Sequence, residues 1–193
     1  DSYNHFITKE TRDILMKTSS IKLTTKDMAY CAVFAAIMCI LGPMSIPIGT
    51  IPISFTNFVI YISVFVLGKR KTVISYFIYI IIGLFGLPVF SGYTGGPGKF
   101  FGPTGGYLIG FLFMAIICGY FAEKYEGKSI VIICGMILGM AVDYIFGTAW
   151  FVFLTKTNAA YALAVCVVPF IVFDVIKIVI ASFVGPMIKI RIK

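Results

Sequence analysis

The chain has 193 residues, 60% of them hydrophobic and only 12% charged, with a mean hydropathy of +1.01 and a formal net charge of +8. About a quarter of an average soluble domain is charged, so a soluble fold is excluded and a polytopic membrane protein is indicated. The positive balance does not point to nucleic acid, because the basic residues gather on one side of the apolar runs, as suits a surface facing anionic headgroups.

Residues 1–24 form a polar tail without the apolar stretch and small-residue cleavage site of a removable signal peptide. Residues 1–15 lack an initial Met and precede Met16-Lys17-Thr18, so either they belong to the natural chain or Met16 is its start and they are foreign to it. Residues 25–190 are expected to form one all-α membrane domain. Apolar runs of the roughly 20 residues a bilayer requires can be drawn at 25–45, 53–68, 72–90, 104–123, 129–154 and 160–188. Six helices result, and the first is expected to act as its own insertion signal.

Of the sixteen Lys and Arg, thirteen fall on one side of these spans: Lys9, Arg12, Lys17, Lys22 and Lys26, then Lys69, Arg70 and Lys71, then Lys124 and Lys128, and finally Lys189, Arg191 and Lys193. Lys99 and Lys156 lie opposite. The positive-inside rule then places both termini in the cytoplasm and the loop 91–104 outside the cell, in a multi-pass protein of the plasma membrane.

In span one, Ala29, Ala32, Ala35 and Ala36 give a small face on which Ala32 and Ala36 form a small-xxx-small pair. Packing within the chain and packing against another membrane subunit both use such a face. The following "GPMSIPIGTIPI" is stiffened by Pro43, Pro47 and Pro52 and reads as a cover over a cavity mouth or as an ordinary interspan turn. In "SFTNF", Asn57 can aim an amide into the bundle.

Between spans three and four, "SGYTGGPGKFFGPTGG" (91–106) carries seven of the nineteen glycines. Glycine marks either a mobile hinge or backbone moulded closely around a group. "GGPGKF" is no phosphate loop, since Phe100 stands where Ser or Thr is required and Tyr93 where the first Gly belongs.

Span five carries Gly135, Gly139, Asp143 and Gly147 on one face. This spacing serves close helix packing with Asp143 bonded across the interface, or it presents Asp143 to a pocket. Trp150, the only tryptophan, suits either the interfacial belt or a ligand. Span six carries Asp174 and Lys177 in "FDVIKI", three residues apart and on one face. Each mid-bilayer charge costs about 2.5–3.5 kcal/mol on insertion scales, so these two form a self-neutralised pair or jointly face a polar, non-ionic ligand group.

Chemistry for catalysis is missing. The single His5 lies in the tail, no carboxylates cluster, and Cys31, Cys39, Cys118, Cys134 and Cys166 lack metal-ligand or disulfide spacing. The few polar residues in the spans do not repeat as a pore ring would. An occluded small-molecule site fits best, with the glycines moulded around a ligand.

"GLPVFSGYTGGPGKFFGPTGGYLIGF" (86–111), with "IPI...PISF" before it and "FDVIKI" after it, resembles the BioY family, the biotin-specific S components of energy-coupling-factor (ECF) transporters. That resemblance covers about residues 25–190. It implies a six-helix protein that captures biotin from outside and works with a transmembrane coupling subunit and two cytoplasmic ATPases. No cofactor of its own is implied, since ATP is used by the partners. Ala32 and Ala36 match the family's coupling face. The resemblance gives Asp174 and Lys177 the ureido ring of biotin. It gives the carboxylate Lys99, Thr104 and backbone N–H groups of the glycine loop, Gly96 and Gly105 among them, and it gives the apolar ring and chain Phe90, Tyr93, Tyr107 and Trp150. Asn57 and Asp143 complete the expected set. Tyr93 and Lys99 depart from the small residues expected in the loop. An S component for another vitamin, or a ligand-free accessory subunit, remains the alternative.

Overall fold

A computed structural model describes residues 23–48 and 51–192. The predicted extension 1–15, the start at Met16, His5 and the tail basic residues up to Lys22, and Lys193, lie outside the described residues. Helix α1 (Thr25–Leu41) opens on a capping box in which Thr24 Oγ1 accepts from the Asp27 N–H at 3.1 Å and Asp27 Oδ2 accepts from the Thr24 N–H at 3.1 Å. It buries Cys31, Phe34, Ala35 and Met38 and leaves Ala32 and Ala36 exposed.

The chain then makes an antiparallel hairpin, β1 (Ser45–Ile48) and β2 (Ile51–Ser54), pairing Ile46 with Ile53 and Pro47 with Pro52. Proline is tolerated here because a two-stranded ribbon has only edge strands. Ile51 and Ile53 are buried while their neighbours are half-buried, the period-two pattern of a strand lying on a core. This ribbon corrects the expectation that span one continues to residue 45 and that span two starts at 53.

Helix α2 (Thr56–Leu67) buries nine of its twelve residues and packs against α1, α3, α5 and α8, making it the central helix. Its 12 residues rise only about 18 Å. Gly68, at φ 79°, ends α2 in a conformation that a side chain would strain, and α3 (Lys69–Leu84) follows at once. Lys69, Arg70 and Lys71 therefore form the first turn of α3 rather than an interspan loop.

The glycine segment is bound closely to the bundle. Phe90 and Thr94 bridge through both backbone N–H groups, at 2.9 and 3.3 Å, and Gly92 and Gly96 donate to Pro43 O and Gly83 O at 3.1 and 2.7 Å. Gly83 lets the Phe90 ring sit directly on α3, where a Cβ would overlap its tip. After the single turn α4 (Pro97–Phe100), α5 (Gly105–Lys124) and α6 (Ser129–Thr155) pack along their lengths. Gly135, Gly139 and Gly147 of α6 lie against Phe121, Cys118 and Tyr107, so the predicted small-residue face is a packing face.

The last predicted span is two helices, α7 (Ala159–Cys166) and α8 (Val168–Ile192), broken at Val167. Pro169 explains the break, since it has no N–H to return to the preceding turn and disfavours helical geometry in the residue before it. Among the described residues, three helical stretches, 105–124, 129–155 and 159–192, are long and apolar enough to cross a membrane by themselves. The architecture is helical as expected, but α1, α2 and α3 are shorter than the runs drawn for them, because hairpin and glycine loop replace their ends. Irregular backbone at such depth is tolerated where it is buried in protein or lines a cavity.

At Gly110, an added Cβ would run into Asp143 Oδ1 and lie 3.0 Å from the Asp143 Cα. Gly110→Ala should cost about 1–3 kcal/mol by forcing α5 and α6 apart, read as a lower thermal midpoint in detergent. Gly98→Ala, where nothing lies within 4 Å, should leave the midpoint unchanged.

Candidate functional site

Between the hairpin, the glycine loop and α2, α3, α5, α6 and α8 lies a cavity with about 600 Å³ of atom-free space, part of it continuous with solvent. Only about 60 Å³ of it is open to the centre of a water molecule, so anything larger than a few waters must displace wall side chains.

Four side chains build one end. Lys177 Nζ donates to Ser54 O at 2.7 Å, Asn57 Oδ1 at 3.0 Å and Asp174 Oδ1 at 3.0 Å, which uses its three hydrogens. Asp174 Oδ1 also accepts from Asn57 Nδ2 at 2.8 Å, while Asp174 Oδ2 accepts from the Tyr144 hydroxyl at 2.7 Å. Asn57 Oδ1 further accepts the Phe58 N–H at 2.9 Å, which fixes the amide's orientation. The Phe55 ring lies 5.7 Å from the Lys177 ammonium. Asp174 and Lys177 are 4% and 7% exposed, so the pair is held by reciprocal charge and complete hydrogen bonding rather than by hydration.

The members of the pair bond each other, as one of the two sequence readings expects, and both also line the cavity. Asp143 is likewise on the cavity wall and buried, but its Oδ1 has no hydrogen-bond partner, contrary to the expected bond across the helix interface. The hydroxyl of Thr104 is a second buried, unpartnered polar atom among the lining residues. Lys99 also lines the cavity, half-buried and with no carboxylate partner among the described residues, and burial pushes its pKa below the ordinary lysine value.

Apolar surface comes from Phe90, Leu108, Phe111, Phe170, Ile51 and Ile53. The Phe90 ring is fully buried and meets Tyr79 edge-on at 5.6 Å. Tyr107 lies on the wall, and its hydroxyl donates to Cys166 O at 3.2 Å, at the break between α7 and α8.

Four expected residues are placed elsewhere. Tyr93 is 68% exposed, at φ 57°, on the outer surface of the loop. Trp150 does not reach the cavity; its Nε1 donates to Gly102 O at 2.9 Å and its base rests on Gly106, so it pins the loop to α6. The N–H groups of Gly96 and Gly105 are committed to Gly83 O and Gly102 O, at 2.7 and 2.9 Å, and neither residue lines the cavity. Tight turns consume these amides in the loop's own structure.

Several lining residues were missed by sequence reasoning. Tyr144 follows Asp143 directly, and a hydroxyl beside a buried acid was the available signal. Ser54 and Thr56 precede Asn57 in the same "SFTNF", with their hydroxyls 2.8 Å apart. Tyr79 on α3 donates to Val89 O at 3.0 Å and ties the glycine loop to the cavity wall. The period of α3 alone does not separate such a tyrosine from a lipid-facing one.

The sequence profile of the BioY family matches residues 16–193. The chain belongs to the BioY family. It is 33% identical over 164 residues to the biotin transporter BioY of Thermotoga maritima, covering 85% of this chain and 96% of that protein. It is 32% identical over 154 residues to biotin transporter BioY2 of Lactococcus lactis subsp. cremoris, covering 80% and 85%. The crystal structure of an S-component for biotin from an ECF-type ABC transporter superposes with a TM-score of 0.80 at 29% identity, over 87% of this chain and 95% of that one. BioY-family membership accounts for the missing catalytic apparatus, since the family consists of transporter subunits rather than enzymes.

Removing one member of the buried network leaves the other charge unpaired. Lys177→Met should therefore cost about 3–5 kcal/mol in ligand-free protein, and Asp174→Asn combined with Lys177→Met should recover most of the loss. Thermal unfolding of both variants in one detergent measures the coupling.

Proposed function

We propose that this protein binds biotin in the cavity as the substrate-specific subunit of an ECF-type uptake transporter. The observation that carries the reading is the polar lining of the cavity: a complete Asn57–Asp174–Lys177–Tyr144 network, and a Lys99 ammonium without a carboxylate partner among the described residues.

Biotin presents a ureido group, with two N–H donors and one carbonyl acceptor, separated by an apolar bicycle and chain from a carboxylate. A ureido N–H meets the remaining acceptor capacity of Asp174 Oδ2, and the Asp143 carboxylate, also on the cavity wall, is the second acceptor. All three Lys177 hydrogens are already used, so the carbonyl takes the second hydrogen of Asn57 Nδ2, or Lys177 after it releases Ser54 O. Phe90, Tyr107, Phe111 and Phe170 cover the bicycle and chain. Lys99, together with the Thr104 hydroxyl, takes the carboxylate by a charge-assisted hydrogen bond.

The same reading assigns transport energy to a transmembrane coupling subunit and two ATPases, with no cofactor held by this chain. The coupling subunit docks on α1 where Ala32 and Ala36 are exposed. Both termini are cytoplasmic and the glycine loop faces outward, as the distribution of Lys and Arg supports.

Calorimetric titration of biotin into detergent-purified protein should give one site per chain, and absence of binding to folded protein overturns the assignment. Lys99→Met should weaken biotin by about 10- to 100-fold, the loss of one hydrogen bond to a charged group, yet leave biotin methyl ester affinity unchanged. Because burial lowers the Lys99 pKa, biotin affinity should fall as pH rises through it, and the ester's should not.

A further inference from the structure

A second cleft lies at the opposite, basic end of the bundle, bounded by the first turns of α1 and α3 and the last turns of α2 and α8. Its polar rim is Lys26, Lys71, Lys189 and Asp27, and its apolar floor is Tyr30, Val66, Leu67 and Ile192. About 310 Å³ is open to the centre of a water molecule, five times the corresponding space in the cavity described above.

The charges are unequal. Lys71 is neutralised by Asp27 at 2.8 Å. Lys189 reaches Glu126 at 2.6 Å, but Glu126 is 66% exposed and outside the cleft, so water competes strongly for that pair. Lys26 has the face of Tyr30 at 5.7 Å and no carboxylate partner among the described residues. Three ammonium groups facing one acid leave a surplus of positive charge over an apolar floor, at the level where helices leave the bilayer.

We infer that this cleft binds the phosphate of an anionic glycerophospholipid, with Lys26 and Lys189 holding the phosphate and the floor receiving the glycerol and the first methylenes. Basic pockets between helices on the positively charged side of a membrane protein suit such headgroups. The floor distinguishes the lipid from a free anion, since inorganic phosphate gains nothing from Tyr30, Val66, Leu67 and Ile192. This site is independent of the biotin reading.

Native mass spectrometry of the protein from mixed phosphatidylglycerol and phosphatidylcholine micelles tests it. One phosphatidylglycerol per chain should be retained in preference to phosphatidylcholine, and Lys26→Gln and Lys189→Gln should each lower retention about fivefold. Lys124→Gln, on the same end but outside the cleft, should leave retention unchanged. Millimolar glycerol phosphate or inorganic phosphate should not displace the lipid. No headgroup preference, or an equal loss in Lys124→Gln, overturns the site; full displacement by inorganic phosphate overturns the lipid as its occupant. An unaltered thermal midpoint and circular dichroism spectrum in each variant establish that the fold is intact.

Discussion

The Asp174 carboxylate is buried in the bundle, and much of the chain's arrangement follows from keeping it satisfied. Its partners come from three helices and a strand: Asn57 from α2, Tyr144 from α6, Lys177 one turn along α8, and, through Lys177, the Ser54 carbonyl of β2. A buried charge is stable only when paired and fully hydrogen-bonded, so these elements are fixed relative to one another more strictly than apolar contact alone requires. The hairpin in particular is tethered to the bundle by a charged donor.

Around that anchor, the packing divides into two kinds. Where α5 meets α6, glycines at Gly106, Gly110, Gly135, Gly139 and Gly147 bring backbones together, and the gain is dispersion between closely approached surfaces. Where α3 faces the glycine loop and α5, large tyrosines do the joining: Tyr76 donates to Leu108 O at 2.6 Å and Tyr79 to Val89 O at 3.0 Å. The cavity lies between a wall made rigid by small residues and a wall made of long side chains bonded at their tips.

Composition and charge were sufficient for the helical membrane class, and the rarity of ionisable residues within spans picked out Asp143, Asp174 and Lys177, all of which line the cavity. Asn57 was legible from its place in "SFTNF", and Phe90, Lys99, Thr104 and Tyr107, which the family resemblance implied, line the same cavity. Trp150 and Tyr93 were not, because chemical type suggests ligand contact equally well whether a ring points inward or outward, and only the turn geometry decides it. Apolar length likewise hid the hairpin: 45–54 is as hydrophobic as a helix end, and the paired prolines were the clue that a strand ribbon replaces it. Loop amides offered no trace in sequence of the carbonyls that would claim them.

Because the hairpin and glycine loop take over the ends of α1, α2 and α3, the bundle's walls differ in height. The contacts run from α1 and α3 through α5 to α6 and α8, which places the short pair away from the long one. The 17 and 16 residues of α1 and α3 rise about 24–26 Å, whereas the 27 residues of α6 rise about 40 Å. Where roughly 30 Å of hydrocarbon has to be spanned, α6 has length to spare and can tilt, whereas α1 and α3 rely on the hairpin and the glycine loop to complete their height.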